Sequence, residues 1–214
     1  MDTQQAKKVY GRFAGIYDAI FAHFFRPRIK EVLNSLQLND QHKVLEVGFG
    51  TGISAPFYPP GCDVIGIDIS KEMLQQAKKK ALPDAKAKIT IMEMDAAQLA
   101  FSENSFDHIF APFVITVVDK PEVVFSEMLR VVKPNGKIVF INHFQSEIRW
   151  IAALEESLNP ICHHLGWRMD ISVSDLRARA PEAFERSYRI QPYDPWKVVV
   201  FRKKTLSEQK NKEI

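Results

Sequence analysis

The chain has 214 residues, 46% of them hydrophobic and 26% charged, which suits one globular domain with a full core and calls for no second domain. The formal net charge of +3 is mild and the basic residues are spread along the chain, so the composition argues against a nucleic-acid-binding protein. The longest apolar run, Ile109 to Val118, has ten residues, whereas a membrane-spanning helix needs about 20, and the N-terminus lacks the features of a secretory signal, so we expect a cytoplasmic protein.

The N-terminal segment from Ala6 to Phe25 carries apolar and aromatic residues every three or four positions, which predicts a strongly amphipathic helix. Lys7, Lys8 and Arg12 lie near its start, and the segment 26–28, Arg-Pro-Arg, is expected to end it. Two roles stay open for this helix: a lid packed over an active site, or a helix lying in a membrane interface with its basic residues toward lipid phosphates.

A second helix is predicted over Arg28 to Leu36, followed by a buried parallel strand over Lys43 to Val47. The strand runs into three alternating glycines, Gly48, Gly50 and Gly52. Glycine lets the backbone turn sharply and approach a bound molecule closely, so this stretch is typical of a ligand loop.

The spacing of the loop narrows the choice of ligand. A dinucleotide-binding loop is excluded, because it needs a further glycine where this chain has Ile53. A phosphate-binding loop is excluded as well, because the chain has no Gly-Lys-Ser/Thr at the required offset. Glu46 ends the first strand, and Asp68 ends the next apolar strand, where a carboxylate about 20 residues past the first glycine can bind the two hydroxyls of a ribose. The capping-type residues Thr51 and Ser54 predict a helix directly after the loop.

Strand and helix patterns then alternate. The predicted elements are a helix from Ser70 to Lys80, strands over 89–94 and 105–114, a helix over Asp119 to Val132, a turn over Lys133 to Lys137, and a strand over Ile138 to Asn142 with His143 just beyond it. This alternation predicts right-handed crossovers and a doubly wound parallel sheet, in which ligands bind at the carboxyl ends of the strands.

The last third of the chain has a different pattern. Helices are predicted over Ile148 to Leu158 and Ser174 to Ala180, and an antiparallel hairpin over Glu185 to Gln191 and Trp196 to Arg202. The tail from Lys203 to Ile214 is polar and is expected to be disordered.

The two cysteines, Cys62 and Cys162, lie a hundred residues apart and are interpreted as two thiols of a cytoplasmic chain. Cys162 is followed by His163 and His164, but the spacing is not that of a zinc site. We therefore predict no metal.

The Glu-x-Gly-x-Gly-x-Gly run and Asp68 resemble motif I and the following acidic position of the class I S-adenosylmethionine-dependent methyltransferases. The resemblance implies an α/β Rossmann-like fold with a seven-stranded sheet in the order 3-2-1-4-5-7-6, and S-adenosylmethionine as the cofactor. It implies that Asp95 contacts the adenine amino group, although a helix cap is the alternative interpretation of this residue. The cofactor-binding residues implied in this way are Glu46, Gly48, Gly50, Gly52, Asp68, Ile69, Met73, Asp95, Ala96 and Ala111.

Further motifs are similar to those of the soluble bacterial phosphatidylethanolamine N-methyltransferases, which are related to the ubiquinone and menaquinone C-methyltransferases. The motifs are Tyr-x-x-Phe-Ala-x-x-Tyr-Asp over 10–18, Val-Gly-Phe-Gly-Thr-Gly-Ile-Ser over 47–54, and the segments 114–118, 141–143 and 165–168. Only the last three favour the phospholipid branch. Phe49 and Phe113 depart from the pattern because they are bulkier or less polar than expected.

The reaction implied by this resemblance is an in-line displacement, which requires a well-placed nucleophile and exclusion of water, but no metal. An amine nucleophile must first lose a proton, and the candidates to accept that proton or to hold the headgroup are Tyr10, Tyr17, Asp18 and His143. Anchoring of the lid is the alternative role of the tyrosines.

On the substrate side, Phe113 together with Tyr17 would form an aromatic wall for a cationic headgroup. Arg168 is the first candidate to bind a lipid phosphate, followed by Arg149 and Arg12, and a plain surface role is the alternative for all three.

The sequence therefore predicts a lid and membrane-contact segment over 1–36, a methyltransferase domain over 37–204 and a polar tail over 205–214. The leading hypothesis is a peripheral enzyme at the inner face of the membrane, which methylates phosphatidylethanolamine toward phosphatidylcholine and binds an anionic membrane surface through its N-terminal helix. The sequence does not determine the oligomeric state, for which a monomer is favoured. A methyltransferase of a quinone precursor, or of another small hydrophobic molecule, is the second hypothesis. A non-catalytic lipid-surface binding protein is the third.

Overall fold

The computed structural model describes residues 24–146, 148, 150, 157, 169–192, 194–205 and 207–208 of the chain. The strands are β1 (Lys43–Val47), β2 (Asp63–Asp68), β3 (Lys88–Glu93), β4 (Phe106–Pro112), β5 (Val132–His143), β6 (Phe184–Tyr188) and β7 (Trp196–Arg202). The α-helices described are α1 (24–35), α2 (Lys71–Lys80), α3 (Pro121–Val131) and α4 (Val173–Arg179), and short 3₁₀ helices cover Ala55–Phe57 and Leu82–Asp84.

These strands form one seven-stranded sheet in the order β3-β2-β1-β4-β5-β7-β6, which confirms the predicted topology. The first five strands pair in parallel, and β7 pairs antiparallel with both β5 and β6. The carboxyl ends of β1, β2 and β4 therefore lie at one edge of the sheet, next to the position where the strand order reverses.

The two faces of the sheet are covered by different helices, as expected for parallel strands made of β-branched and aromatic residues. On one face, Val32 and Leu33 of α1 belong to the same buried cluster as Phe110 of β4. On the other face, Phe125 of α3 and Leu176 of α4 share a cluster with the β4 and β5 strands. Helix α1 is thus part of the domain core.

Helix α2 confirms its predicted start and end. The Ser70 hydroxyl accepts the N–H of Met73, Glu72 lies in the first turn, and the helix ends in three lysines, Lys78 to Lys80.

The expected helix directly after the glycine loop is wrong. The chain there forms only the 3₁₀ turn Ala55–Phe57, and the Ser54 hydroxyl makes no capping bond because it donates to the carboxylate of Glu46.

The expected break at Pro27 is also wrong, because the described helix α1 continues through it. Phe25 and Ile29, on either side of the proline, are buried against the sheet. These contacts place both sides of the proline in one packed helix.

The expected turn over 133–137 lies inside strand β5. Asn135 adopts a positive φ of 65°, and the pairing of β4 with β5 shifts register between Phe106 and His108. The turn-type residues therefore produce an irregularity within the strand instead of ending it.

The described part of the tail is ordered, contrary to expectation. The Lys203 ammonium donates to the carbonyl oxygens of Leu129 and Val132 at the end of α3, at 2.8 and 2.9 Å. Arg202 pairs with Glu208 at 3.2 Å. Contacts to carbonyl groups at a helix terminus explain why this polar segment is held.

Candidate active site

A cavity of about 420 Å³ opens at the carboxyl ends of β1, β2 and β4. Its size and place are those of a small-molecule site in a doubly wound sheet. The described lining residues are 46–51, Ile53, Ser54, 67–70, Met73, 94–97, 112–114, 117–120, Val124, and Phe25 and Ile29 of α1.

The backbone of the glycine loop forms one wall of the cavity. The N–H groups of Gly48 and Phe49 both donate to the carbonyl oxygen of Ile67 at 2.9 Å, and the N–H of Gly50 donates to Asp68 at 2.8 Å. Three hydrogen bonds thus fix the loop to the end of β2.

The three glycines have different roles. A Cβ atom on Gly48 would lie 2.9 Å from Val114 Cγ2, so the loop and the opposite wall approach more closely than a side chain would allow. Gly52 is not among the described residues that line the cavity. A Cβ atom there would lie 2.8 Å from the Cβ of Ala81, so Gly52 permits α2 to end against the loop.

Phe49 also has a structural explanation. Its ring lies over β2 at Gly66, where an added Cβ would come within 2.5 Å of Phe49 Cδ2. The missing side chain at Gly66 provides the space for the large side chain at position 49.

Asp68 lies at the end of β2 with both carboxylate oxygens engaged by backbone. One oxygen accepts the N–H of Gly50 and the other accepts the N–H of Ser70, both at 2.8 Å. Burial raises the pKa of Asp68, and these hydrogen bonds counteract the rise. The carboxylate also lines the cavity, so it can accept a hydrogen bond from a bound molecule.

Glu46 lies at the floor of the cavity with a relative exposure of 2%. The Ser54 hydroxyl lies 2.7 Å from both carboxylate oxygens, and the Tyr58 hydroxyl donates to one of them at 2.7 Å. Burial raises the pKa of Glu46 to about 8, although the bonds from Ser54 and Tyr58 lower it. Tyr58 was not predicted, because the proline-rich stretch that contains it carries no pattern that points back to Glu46.

Asp95, Ala96, Ile69 and Met73 all line the cavity, as expected of a ligand site. Asp95 also caps a turn, since one carboxylate oxygen accepts the N–H of Ala97 at 2.8 Å. The two interpretations of Asp95, ligand contact and cap, are therefore compatible. Ala111 is buried inside β4 and is not among the described lining residues.

The other end of the cavity has an aromatic rim. Phe113 has a positive φ of 58°, and its ring stacks on Phe25 at a centroid distance of 4.0 Å. Trp196 meets Phe25 edge-on at 5.3 Å. The Arg28 guanidinium lies 4.5 Å from the Trp196 ring and binds the buried Asp194 at 2.6 Å, which ties α1 to the start of β7.

Comparison with known proteins identifies the family. Residues 45–140 match the family model of the methyltransferase domain. A phosphatidylethanolamine N-methyltransferase of Cereibacter sphaeroides is 39% identical over 179 residues, which cover 83% of this chain and 87% of that protein. The chain belongs to the class I S-adenosylmethionine-dependent methyltransferases.

Two further similarities place this methyltransferase among its relatives. A demethylmenaquinone methyltransferase of Renibacterium salmoninarum is 41% identical over 98 residues, 45% of this chain and 39% of that protein. The fold also matches an N-methyltransferase of Haemonchus contortus, solved with phosphomonomethylethanolamine and S-adenosylhomocysteine, with a TM-score of 0.70 and 16% identity over 93% of this chain and 60% of that one.

The cavity of the methyltransferase fits its cofactor. Gly48 and Gly50 present bare backbone to it, and the Asp68 carboxylate lines it at the end of β2, where it would accept the two ribose hydroxyls. When bound, S-adenosylmethionine supplies the electrophilic methyl group. The protein's part is to hold the acceptor in line and to exclude water with the apolar walls.

The remaining predicted residues fall into two groups. His143 ends β5, is paired with Trp196 and is not among the described residues that line the cavity. The others lie outside the described residues, so their roles stay predictions: Tyr10, Arg12, Tyr17, Asp18, Arg149 and Arg168.

Within the described ranges, no three His, Cys, Asp or Glu side chains are grouped so that they could hold a metal ion. The same residues include no helix with the length and apolar character needed to cross a bilayer.

Proposed function

We propose that this methyltransferase transfers methyl groups to the amine of phosphatidylethanolamine and of its mono- and dimethylated forms. The observation that carries the proposal is the similarity to the Cereibacter sphaeroides enzyme, which covers 83% of this chain and so extends well beyond the matched domain over 45–140. The similarity therefore includes elements on the substrate side of the cavity as well as the cofactor half.

The aromatic rim supports an amine substrate that becomes cationic. Phe25 and Phe113 both line the cavity, and an ammonium group near such rings gains about 0.5–2 kcal/mol. Three aspartates also line the cavity, Asp68, Asp95 and Asp119, against one lysine, Lys120, and this excess of negative charge favours a positively charged product.

We further propose that the enzyme works at a membrane surface. Ile148 and Trp150 follow the carboxyl end of β5 and are 53% and 71% exposed, and the large Phe24 side chain is exposed where α1 meets the aromatic rim. Exposed aromatic and aliphatic side chains near the edge of the sheet that opens to the cavity support contact with lipid.

The test of the substrate is a labelling experiment. The protein is incubated with labelled S-adenosylmethionine and vesicles containing phosphatidylethanolamine, and the lipids are then separated. Label is expected in mono-, di- or trimethylated lipid, and Asp68→Ala should abolish it. A protein that binds the cofactor but labels no lipid would refute the proposed substrate.

The test of the membrane contact is co-sedimentation with vesicles of anionic and of neutral lipid. Binding to the anionic vesicles should weaken as salt is raised, because basic residues attract lipid phosphates. At a given salt concentration, Trp150→Ser should bind these vesicles more weakly than the wild type. Equal recovery of the protein in the supernatant with and without anionic vesicles would refute the proposed membrane contact.

A quinone precursor is the second candidate substrate. It is favoured by the identity of 41% to the Renibacterium salmoninarum demethylmenaquinone methyltransferase, although that match spans only 98 residues. The test is the same labelling experiment with a short-chain demethylated quinone in place of the lipid. Label in the quinone and not in the lipid would decide for this candidate.

A further inference from the structure

The turn over residues 113–118, which we call the wall turn, forms the part of the cavity wall that packs against the glycine loop. Phe113, Val114, Val117 and Val118 line the cavity. The N–H of Phe113 donates to Ile141 at 2.7 Å. The wall turn therefore joins the end of β4 to the neighbouring strand β5 through backbone.

Thr116, in the middle of the wall turn, is not among the lining residues and is only 1% exposed. Its hydroxyl accepts a hydrogen bond of 2.7 Å from the side-chain amide of Asn142, which lies on β5 and is 2% exposed. A buried side-chain hydrogen bond thus joins the wall turn to β5 on the side that does not line the cavity.

The amide of Asn142 is only half satisfied. Its Oδ1 atom is buried and has no hydrogen-bond partner in the described part of the chain. An unpaired buried acceptor costs stability, and an apolar side chain of similar size would avoid that cost. Stability alone therefore does not explain why an amide stands here, whereas a directional bond that fixes the wall turn does.

The wall turn touches both halves of the site. Val114 lies against the glycine loop so closely that a Cβ on Gly48 would come within 2.9 Å of it. Phe113 stacks on Phe25 at 4.0 Å in the aromatic rim. A shift of the wall turn would move the acceptor's side of the cavity relative to the bound cofactor.

We propose that Asn142 and Thr116 are positioning residues, which set the place of the acceptor amine relative to the methyl group by fixing the wall turn. This inference rests on the proposed function for the identity of the acceptor. Neither side chain is among the described residues that line the cavity, whereas the glycine loop and Asp68, which would hold the cofactor, do line it.

The kinetic test compares Thr116→Val, Thr116→Ser and Asn142→Leu with Thr90→Val, which removes a hydroxyl from an exposed position of β3. Thr116→Val and Asn142→Leu should each lower kcat/KM for lipid at least about tenfold, because small misplacements of reacting groups have large effects on rate. The Kd for S-adenosylmethionine should change less than about threefold, whereas the Ser and Thr90 variants should keep most of the activity. Wild-type kcat/KM in Thr116→Val, or an equal loss in cofactor affinity, would overturn the proposal.

A series of acceptors distinguishes positioning from direct contact. A displaced wall turn lowers the rate on primary, monomethylated and dimethylated amine lipids by the same factor. A loss confined to the two amines that carry an N–H when neutral would overturn the proposal, because it would place the amide itself on the substrate.

Hydrogen exchange provides a readout that needs no acceptor. Residues 113–118 should exchange faster in Thr116→Val and Asn142→Leu than in the wild type or Thr90→Val, and unchanged exchange would overturn the proposal. If the wild type labels no lipid, the proposed function fails while this measurement still decides on the pair.

Discussion

Asp68 uses one carboxylate to hold two backbone N–H groups and to face the cofactor cavity. Asp68→Asn keeps the shape, but the amide nitrogen cannot accept the N–H of Gly50 or of Ser70. We expect the Kd for S-adenosylmethionine to rise about 10- to 100-fold, as for the loss of charge-assisted hydrogen bonds of about 1.5–3 kcal/mol. Isothermal titration calorimetry measures the change directly.

The matched control is Asp84→Asn, which makes the same chemical change at an exposed position of the 3₁₀ helix Leu82–Asp84. It should bind the cofactor as the wild type does. Equal affinities of Asp68→Asn and the wild type would contradict the role assigned to Asp68.

Glu46 predicts a pH dependence of stability. Its pKa is raised to about 8 in the folded protein from an ordinary value of 4.5, so the folded state keeps a proton that the unfolded state releases. The stabilising contribution is fully present below about pH 4.5 and is lost as pH rises toward 8. Relative to Glu46→Gln, the wild type should lose on the order of a few kcal/mol between pH 5 and 8.

Urea unfolding of the apo protein at several pH values measures the free energy of unfolding of the wild type and of Glu46→Gln. The contributions of the other titratable groups cancel in the difference, because the two proteins share them. Tyr58→Phe provides the comparison, because it removes one donor to Glu46 but leaves the carboxyl group, and so should retain the pH dependence. Parallel stability curves for the wild type and Glu46→Gln would be inconsistent with a buried, protonated Glu46.

At the scale of elements, the contact between the glycine loop and α2 depends on Gly52. Its φ is +79°, and an added Cβ would lie 2.8 Å from the Cβ of Ala81. Gly52→Ala should therefore reduce the free energy of unfolding by about 2 kcal/mol, through backbone strain and overpacking together. Denaturant titration measures the loss.

A second substitution separates the two causes. Ala81→Gly removes the nearest atom that Gly52→Ala would meet but leaves the strained φ and the contacts with Phe49 Cε1 at 3.1 Å and Ala77 Cβ at 3.3 Å. The double variant should therefore recover part of the loss when each is compared on its own background. Strict additivity of the two substitutions would show that Ala81 does not press on Gly52.

At the scale of the whole molecule, cofactor binding should stabilise the fold. At about 100 times its Kd, a ligand that binds only the folded state adds about 2.7 kcal/mol. For a chain of this size each kcal/mol raises the melting temperature by about 2–4 °C, so S-adenosylmethionine should raise it by about 5–10 °C. In differential scanning fluorimetry, Asp68→Asn at the same concentration should show a smaller rise of about 1–6 °C, because a 10- to 100-fold higher Kd leaves the ligand at only about 1–10 times that Kd. A wild type without a shift would contradict the cofactor site.

Local patterns predict the strand runs, the glycine loop and the place of Asp68 at the end of a strand, and the structure agrees with them. The order of the sheet and the role of Asp95 were implied by the family resemblance, and the sheet has the implied order. Glycine spacing alone does not distinguish a glycine that lines the cavity, such as Gly48, from one that packs against the end of a helix, as Gly52 does.

The missed features depend on residues that are far apart in sequence. Tyr58 reaches Glu46 across 12 positions, Asn142 reaches Thr116 across 26, and Arg28 reaches Asp194 across 166. None of these pairs leaves a periodic signal, because each exists only after the sheet has brought its strands together. Sequence reasoning therefore located the cofactor half of the site better than the acceptor half.

The fit of Phe49 over Gly66 also constrains how this protein can change over generations. A lineage that replaced Gly66 first with any larger residue would place a Cβ 2.5 Å from Phe49 Cδ2. This clash makes the substitution unfavourable for as long as position 49 is phenylalanine. The reverse order is open, because a smaller residue at 49 leaves only a cavity. Descendants of this chain should therefore lose the phenylalanine before they lose the glycine.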